Sequence, residues 1–303
     1  MSCLNYVDLS PQNAIIPSCS SGSIFFVSYC VFYGMNYGRI GSNGGAVSVS
    51  WTSSSCIFEH SFFHFCSSSN GGCLYICSST KTEILNCCFF CCYASSRGQA
   101  IYHQQLDNSG VFQIEGSNTV YCPSNNQGNN CVVFLEKGNT HFSNYNLSNC
   151  HVSGYDCIYF YAQNTIDASF IHLSENKVDI VIDVDHSYNG HINNINMIEN
   201  IHNNGGYRSI IHDNIFGVIS VEFSIFRSNS FPILLSNNRI TFIDCLFYNN
   251  VFTNNNIVFY PSTIVIKVIW NCNNPNRHTN HANMKFPIWK FHIFMVVNSF
   301  FLI

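Results

Sequence analysis

The sequence is built from a repeat whose length drifts along the chain. Each unit contains a short apolar run, a polar break, a second apolar or aromatic run that ends in Asn or Cys, and a turn. Successive units are about 22 to 32 residues apart, a spacing typical of stacked repeats. Units of this size bury their apolar faces only against their neighbours, so the repeat predicts a solenoid. The residues that mark successive units are Ala46, Cys73, Ala100, Val132, Ile158, Val181, Ile211, Ile233 and Val258.

The apolar runs indicate β-strands. They are short, rich in β-branched and aromatic residues, and bounded by Gly, Ser and Asn. We therefore expect an all-β protein, with a parallel β-helix solenoid of roughly nine coils over residues 41–274. A strand-rich segment over residues 1–40 fits an incomplete first coil. The second strand of successive units is expected at residues 55–58, 83–87, 111–114, 168–173, 217–223, 239–244 and 264–268.

A Phe-x-x-Asn pattern follows several of the second strands. It is clear in Phe226-Arg227-Ser228-Asn229 and Phe247-Tyr248-Asn249-Asn250, and looser at residues 147–150 and 173–176. In a coil of parallel strands, the aromatic residue would fill a core corner. The Asn would lie at the bend, because it tolerates the left-handed conformation and its amide bonds to nearby backbone. Stacking of the coils would then place these Asn residues in a ladder.

These motifs support a family resemblance. Gly44-Gly45-Ala46-Val47, the near match Gly71-Gly72-Cys73-Leu74 and the repeated Phe-x-x-Asn resemble the repeats of the polymorphic outer-membrane-protein type. Such repeats occur in bacterial adhesins and autotransporters and in large protist surface families, and the wealth of Asn, Phe and Cys is similar to the protist members. The resemblance implies a right-handed parallel β-helix. It also implies a non-catalytic protein that is on the cell surface, membrane-associated or secreted, and that serves adhesion, interaction or display.

Composition limits the class of partner. Only 9% of the residues are charged, the formal net charge is −4, and Lys and Arg are scattered singly. This leaves no basic surface for nucleic acid, so no nucleic-acid partner is expected. A glycan or a protein of a host or partner cell remains open as a partner.

The chain has 17 cysteines, a number more common in extracellular proteins. They recur at repeat positions, so we expect many of them to stack as small core residues. Disulfides remain open if the chain is exported. Cys87-Cys88-Phe89-Phe90-Cys91-Cys92, with Cys73 and Cys77 one coil earlier, has a spacing that zinc sites use. Alternating side chains on a strand do not converge tetrahedrally, and a cysteine ladder is the favoured interpretation.

The two ends of the chain give opposite indications. The first residues lack the basic and apolar regions of a signal peptide. Residues 275–303 form a C-terminal segment that is strongly apolar from Phe286 to Ile303. Its uninterrupted run, residues 291–303, is shorter than a membrane span requires, and Lys290, His292 and Asn298 are unfavourable within a span. We expect this segment to be a cap or an incomplete membrane anchor, which leaves membrane association open. A non-functional fragment of an expanded family is a further alternative.

An acidic strand is the best candidate for chemistry. In residues 179–186, alternation turns Ile180, Ile182 and Val184 inward and leaves Asp183 and Asp185 outward. Alignment of Ile180 with Ile210 would place Asp213 beside Asp183 on the next coil. Asp183, Asp185 and Asp213 are therefore calcium candidates, because Ca²⁺ prefers several oxygen ligands.

Solvated carboxylates explain the same pattern, so we predict no catalytic residue, cofactor or metal. The alternative function is a carbohydrate-active lyase or hydrolase, similar to pectate lyases, that uses this acidic face. Tyr159 and Tyr161 alternate outward from Ile158 and Phe160. They could form a stacking platform for sugars or a partner, or simply stiffen the sheet.

Overall fold

The structure is a computed structural model. It describes residues 2–5, 8–9, 24–35, 43–105, 108–123, 128–153, 156–202, 209–214, 218–230, 234–236, 240–252, 257–259, 264–266 and 269–270. Side chains are described at 24–35, 43–50, 55–77, 80–105, 108–123, 130–153, 156–201, 209–212, 219–230 and 240–250. Every regular element among these residues is a β-strand.

The strands form a parallel solenoid with three faces. Its first face contains the start of Val47–Glu59 and of Leu74–Leu85, then Ile101–Gln104, Val133–Glu136, Asp156–Tyr161, Ile180–Asp185, Ser209–Asn214 and Leu234–Ser236. The second face contains Ser2–Asn5, Ile24–Ser28, the ends of Val47–Glu59 and Leu74–Leu85, Val111–Glu115, the starts of Asn139–Ser148 and Thr165–Ser174, Asn189–Asn193, Val218–Glu222, Ile240–Ile243 and Ile257–Phe259.

The third face contains Asp8–Leu9, Val31–Tyr33, Phe62–His64, Cys88–Phe90, Asn118–Val120, the ends of Asn139–Ser148 and Thr165–Ser174, Asn196–Ile198, Ile225–Arg227, Leu246–Tyr248 and Ile264–Ile266. Four short parallel pairs follow the third face: Ser67–Ser68 with Tyr93–Ala94, Gly128–Asn129 with Val152–Ser153, Lys177–Val178 with Ile201–His202, and Val251–Phe252 with Ile269–Trp270. Each coil therefore has three main strands, where the sequence suggested two.

The prediction of an all-β parallel solenoid is confirmed, although the described residues contain slightly fewer complete coils than the roughly nine expected. One assignment near the end of the solenoid was wrong. Ile257 was expected to open a unit on the first face, but it pairs with Ile240 on the second. Likewise Ile264 pairs with Leu246 on the third face. All three faces use the same β-branched residues, so an apolar run alone does not indicate its face.

The glycine pair at the start of the early units has a steric cause. Gly44 and Gly71 have φ of +71° and +61°, in the left-handed region that favours glycine. The next glycine has no room for a side chain: a Cβ on Gly45 would lie 2.1 Å from the carbonyl oxygen of Gly72. In the third unit Gly98 keeps the left-handed position, with φ +65°, while Gln99 replaces the second glycine. Half of the glycine pair is thus retained in the third unit.

Aromatic and ladder residues fill the corner after the third face, as predicted. Phe226 and Phe247 are buried and stack with ring centroids 4.7 Å apart. Asn229 and Asn250 follow them and are buried in a ladder. The left-handed residue at this bend is the one before the ladder Asn, such as Ser228 (φ 54°). Within the described residues the ladder includes Cys92, Cys122, Cys150, Asn176, Asn200, Asn229 and Asn250, and the backbone N–H of each member up to Asn229 donates to the side chain of the next.

Among the described residues, no helix has the length and apolar character needed to cross a bilayer. The apolar segment predicted at 275–303 lies outside the described residues.

Candidate functional site

A column of aromatic side chains lines the outer side of the first face. The strand register places Tyr75, Tyr102, Phe134 and Tyr159 side by side on successive coils. The rings of Tyr75 and Tyr102 stack with centroids 5.0 Å apart, and those of Tyr102 and Phe134 with centroids 4.9 Å apart. Tyr159 breaks the stack, because its ring is turned 69° from that of Phe134.

This column forms a small apolar cluster outside the main core. Tyr102, Cys131 and Phe134 are its buried members, and Tyr75, Tyr159 and Tyr161 pack against them. The stacked rings cover one another, so Tyr102 and Phe134 are only 8% and 1% exposed. The stacked rings of the column therefore stiffen the sheet. Tyr75 at one end of the column, and Tyr159 and Tyr161 at the other, are half-buried and remain accessible to a ligand.

A groove of about 590 Å³ opens where the stack ends. It combines aromatic, acidic and basic side chains from neighbouring first-face strands and from the bends next to them. Its lining residues are Arg97, Asn130, Phe134, Glu136, Asp156, Tyr159, Tyr161, Ile180, Asp183 and His212. A groove of this size and mixed lining suits a small polar ligand with one apolar side.

The acidic strand contributes Asp183 to the groove. Ile182 and Val184 are buried and Asp183 and Asp185 face outward, as the alternation predicted, whereas Ile180, expected inward, lines the groove. The expected alignment with the next coil was wrong by one residue. Asp183 pairs in register with His212, whose Nδ1 lies 2.7 Å from the Asp183 Oδ1, and Asp213 is in register with Val184.

Asp185 lies beside the groove and is held by two partners. Its Oδ2 accepts a hydrogen bond from the hydroxyl of Tyr159 at 3.0 Å, and its Oδ1 lies 2.6 Å from Nδ1 of His186. The first contact fixes the turned ring of Tyr159. Burial and then the charges of Asp185 and Asp183 raise the pKa of Tyr159, so its phenol stays neutral.

Asp156 is the most unusual group in the groove. It is 3% exposed, and its Oδ1 has no hydrogen-bond partner. Burial raises the pKa of this carboxyl well above its usual value, and the carboxylates of Asp183, Asp179 and Asp185 add to the effect. A neutral acid with an unused oxygen at a groove wall is a hydrogen-bonding group without an internal partner.

Arg97 and Glu136 complete the charged lining. The guanidinium carbon of Arg97 lies 5.2 Å from the ring centroid of Phe134, within the range of a cation–π contact. Glu136 accepts a hydrogen bond from Nε2 of Gln104 at 2.9 Å. Both side chains are thereby placed along the groove by the outer cluster and the first-face strands.

The cysteines considered for zinc do not meet at one point. Cys73 and Cys92 are buried with their sulfurs 2.7 Å apart, Cys87 belongs to another bend, and Cys88 and Cys91 are half-buried. In the described part of the chain, no group of three or more His, Cys, Asp or Glu side chains has a geometry that could hold a metal ion.

Comparison of the chain with family models, curated proteins and solved structures finds no match.

Sequence patterns identified Tyr159, Tyr161 and Asp183 but missed Asp156, His212, Arg97 and Glu136. One signal was available for Asp156: a carboxylate directly before the apolar run Cys157-Ile158 is unusual at a position next to the core. Arg97 had no comparable signal, because it reaches the groove from a bend.

Proposed function

We propose that this chain is a saccharide-binding β-helix protein that serves adhesion or display at a cell surface or after secretion. The observation that carries the proposal is the groove on the first face. It sets the accessible tyrosines Tyr159 and Tyr161 beside the polar groups of Asp156, Asp183 and His212. Sugars have apolar ring faces and polar rims, so an aromatic side chain with adjacent hydrogen-bonding groups fits them.

The solenoid supports such a role. Its first face continues over many coils, and the stacked rings of Tyr75, Tyr102 and Phe134 keep that face rigid beside the groove. A rigid site loses little conformational entropy when it binds a ligand. The resemblance of the glycine-pair and Phe-x-x-Asn repeats to polymorphic outer-membrane-protein repeats favours the same setting on a surface or outside a cell.

The test is glycan binding by the full chain and by Tyr161→Ala. Truncation of this half-buried ring removes its contact in the groove, while the strand is held by Ile158 and Phe160 in the core. We expect up to about a tenfold loss of affinity for any bound glycan on an array, the size of an aromatic stacking contact. Calorimetry would quantify the loss.

Tyr248→Ala is the matched control, since Tyr248 is a 43% exposed strand residue on the third face. Unchanged binding by this variant together with loss in Tyr161→Ala supports the proposal. If no glycan binds, or if both variants bind equally well, the groove is not a saccharide site.

Hydrolysis of a saccharide is a second candidate, favoured by Asp156. A neutral buried acid and a carboxylate such as Asp183 in one groove are the two groups that acid–base cleavage of a glycosidic bond uses. The samples used to measure binding also distinguish saccharide binding from hydrolysis. New reducing ends that form with the native chain but not with Asp156→Asn would identify an enzyme, and an intact glycan would identify a binding protein.

A further inference from the structure

We infer that the groove selects saccharides carrying a free, positively charged amino group over neutral sugars and over uronates. This inference rests on the proposed saccharide groove and names its ligand class. It follows from the charges, the unused polar atom and the ring arrangement of the groove.

The groove lining contains three carboxyl side chains, Glu136, Asp156 and Asp183, and two basic ones, Arg97 and His212. Asp185 is joined to the groove through the hydroxyl of Tyr159. Among the described lining residues, Arg97 is the one fixed cation, and it lies over the Phe134 ring. The negative charge also acts on neighbouring groups. Burial raises the pKa of Tyr102, and the charge of Glu136 raises it further. A uronate would approach this negative charge at a cost, whereas an ammonium group would gain from it.

Asp156 supplies a position for the ammonium group. Its Oδ1 is buried and has no hydrogen-bond partner, and the residue belongs to the groove wall. An amino group at this position would donate the missing hydrogen bond and would favour ionisation of the acid, giving a charge-assisted pair. A neutral sugar hydroxyl would donate the bond without the charge, so the amine is preferred.

The half-buried tyrosines make the ligand a sugar and not any small cation. Tyr159 and Tyr161 line the same groove with ring centroids 6.0 Å apart and planes inclined by 54°. Two inclined rings present an apolar corner beside the acidic wall. A hexosamine unit fits both the apolar corner and the acidic wall, because its pyranose ring contacts the two tyrosine rings and its amino group reaches the carboxyls.

The experiment measures the affinity of the full chain for three tetrasaccharides at pH 6, where a sugar amine is protonated. They are a glucosamine tetramer, its N-acetylated form and a galacturonic acid tetramer. We expect the free-amine tetramer to bind about tenfold more tightly than the N-acetylated one, the gain of one charge-assisted contact, and the uronate to bind least. Asp183→Asn and Asp156→Asn should each bring the ratio of the affinities for the free-amine and N-acetylated tetramers closer to one.

Asp167→Asn is the matched control, because Asp167 is an exposed carboxylate on the second face next to His141 and His191. This variant should keep the full preference. Equal binding of the free-amine and N-acetylated tetramers would overturn the inference while leaving the saccharide groove in place. Equal displacement by spermidine would also overturn it, since charge alone would then suffice. Absence of binding by all three tetramers would remove both the inference and the proposed function.

Discussion

His103 is a histidine enclosed by the solenoid. Its side chain is fully buried, with Nε2 3.1 Å from Oγ1 of Thr82 and 3.3 Å from Nε2 of Gln105. Its ring lies 4.6 Å from the ring of Phe112, and Nδ1 has no partner. Burial lowers the pKa of His103 from 6.5 to about 3, so the imidazole is neutral in the folded chain at any ordinary pH.

This histidine makes stability depend on pH. Between pH 6.5 and 3 the unfolded chain binds a proton at His103 that the folded chain does not, so the free energy of unfolding falls as the pH falls through that range. At pH 5 the loss from this group is about 2 kcal/mol. Urea unfolding at pH 7 and pH 5 would measure it. His103→Gln should lose less stability over the same interval, and an equal loss in both proteins would contradict this assignment.

The bend ladder is the main polar structure at the scale of elements. Asn200 accepts hydrogen bonds at Oδ1 from the backbone N–H and the amide of Asn176, and its own amide donates to Leu173 O and to Oδ1 of Asn229. All the polar atoms of this buried side chain are therefore used. Cys150 occupies the same place in its coil, where its sulfur accepts the N–H of Cys122 at 3.3 Å.

Asn200→Ala should cost about 4 kcal/mol of unfolding free energy, because it leaves several buried donors and acceptors without partners. Asn200→Cys should cost roughly half as much, since a sulfur at this position can still accept the Asn176 N–H. Chemical denaturation of the full chain would compare them. Asn193→Ala, at a half-buried position on the second face, should change stability by less than about 0.5 kcal/mol. Equal losses in Asn200→Ala and Asn200→Cys would exclude the ladder role.

The ladder also shows which structural features the sequence pattern predicted and which it did not. The Phe-x-x-Asn spacing predicted the buried aromatic and the Asn ladder, because a fixed offset from a core residue returns to the same point on every coil. The looser match at residues 147–150 included Cys150, and a cysteine ladder was the favoured interpretation of the 87–92 run. The pattern did not reveal that these cysteines and the Asn residues form one ladder, or that the left-handed residue is the preceding one. The groove was harder still. A one-residue error in aligning two coils exchanged Asp213 for His212, since the loop lengths that set the register vary between coils.

At the scale of the whole molecule, stacking protects most of the thiols. Cys92, Cys122 and Cys150 are buried between coils, and burial raises the pKa of each of them. Cys77 and Cys91 are half-buried at the outside.

N-ethylmaleimide should therefore modify Cys77, Cys88 and Cys91 in the folded chain and spare the ladder cysteines, because a buried neutral thiol reacts slowly. Peptide mass spectrometry after a brief reaction at pH 7 would show this. The same reaction in urea is the control, where all of these cysteines should be modified. Modification of Cys122 or Cys150 without urea would show that the coils separate readily.

Several left-handed bend residues carry exposed side chains that take no part in the core. Tyr29, Phe170 and Phe223 all have positive φ at the bend after the second face, and they are 59%, 59% and 53% exposed. Their side chains point away from the core, so exchanges among residues that tolerate a positive φ alter the exposed surface without altering the core packing. Each of these three bends is thus a site where the sequence can vary at little cost in stability. Related solenoids could therefore accumulate substitutions at these exposed bend positions, and so change their surface, while they keep the same core and coil structure.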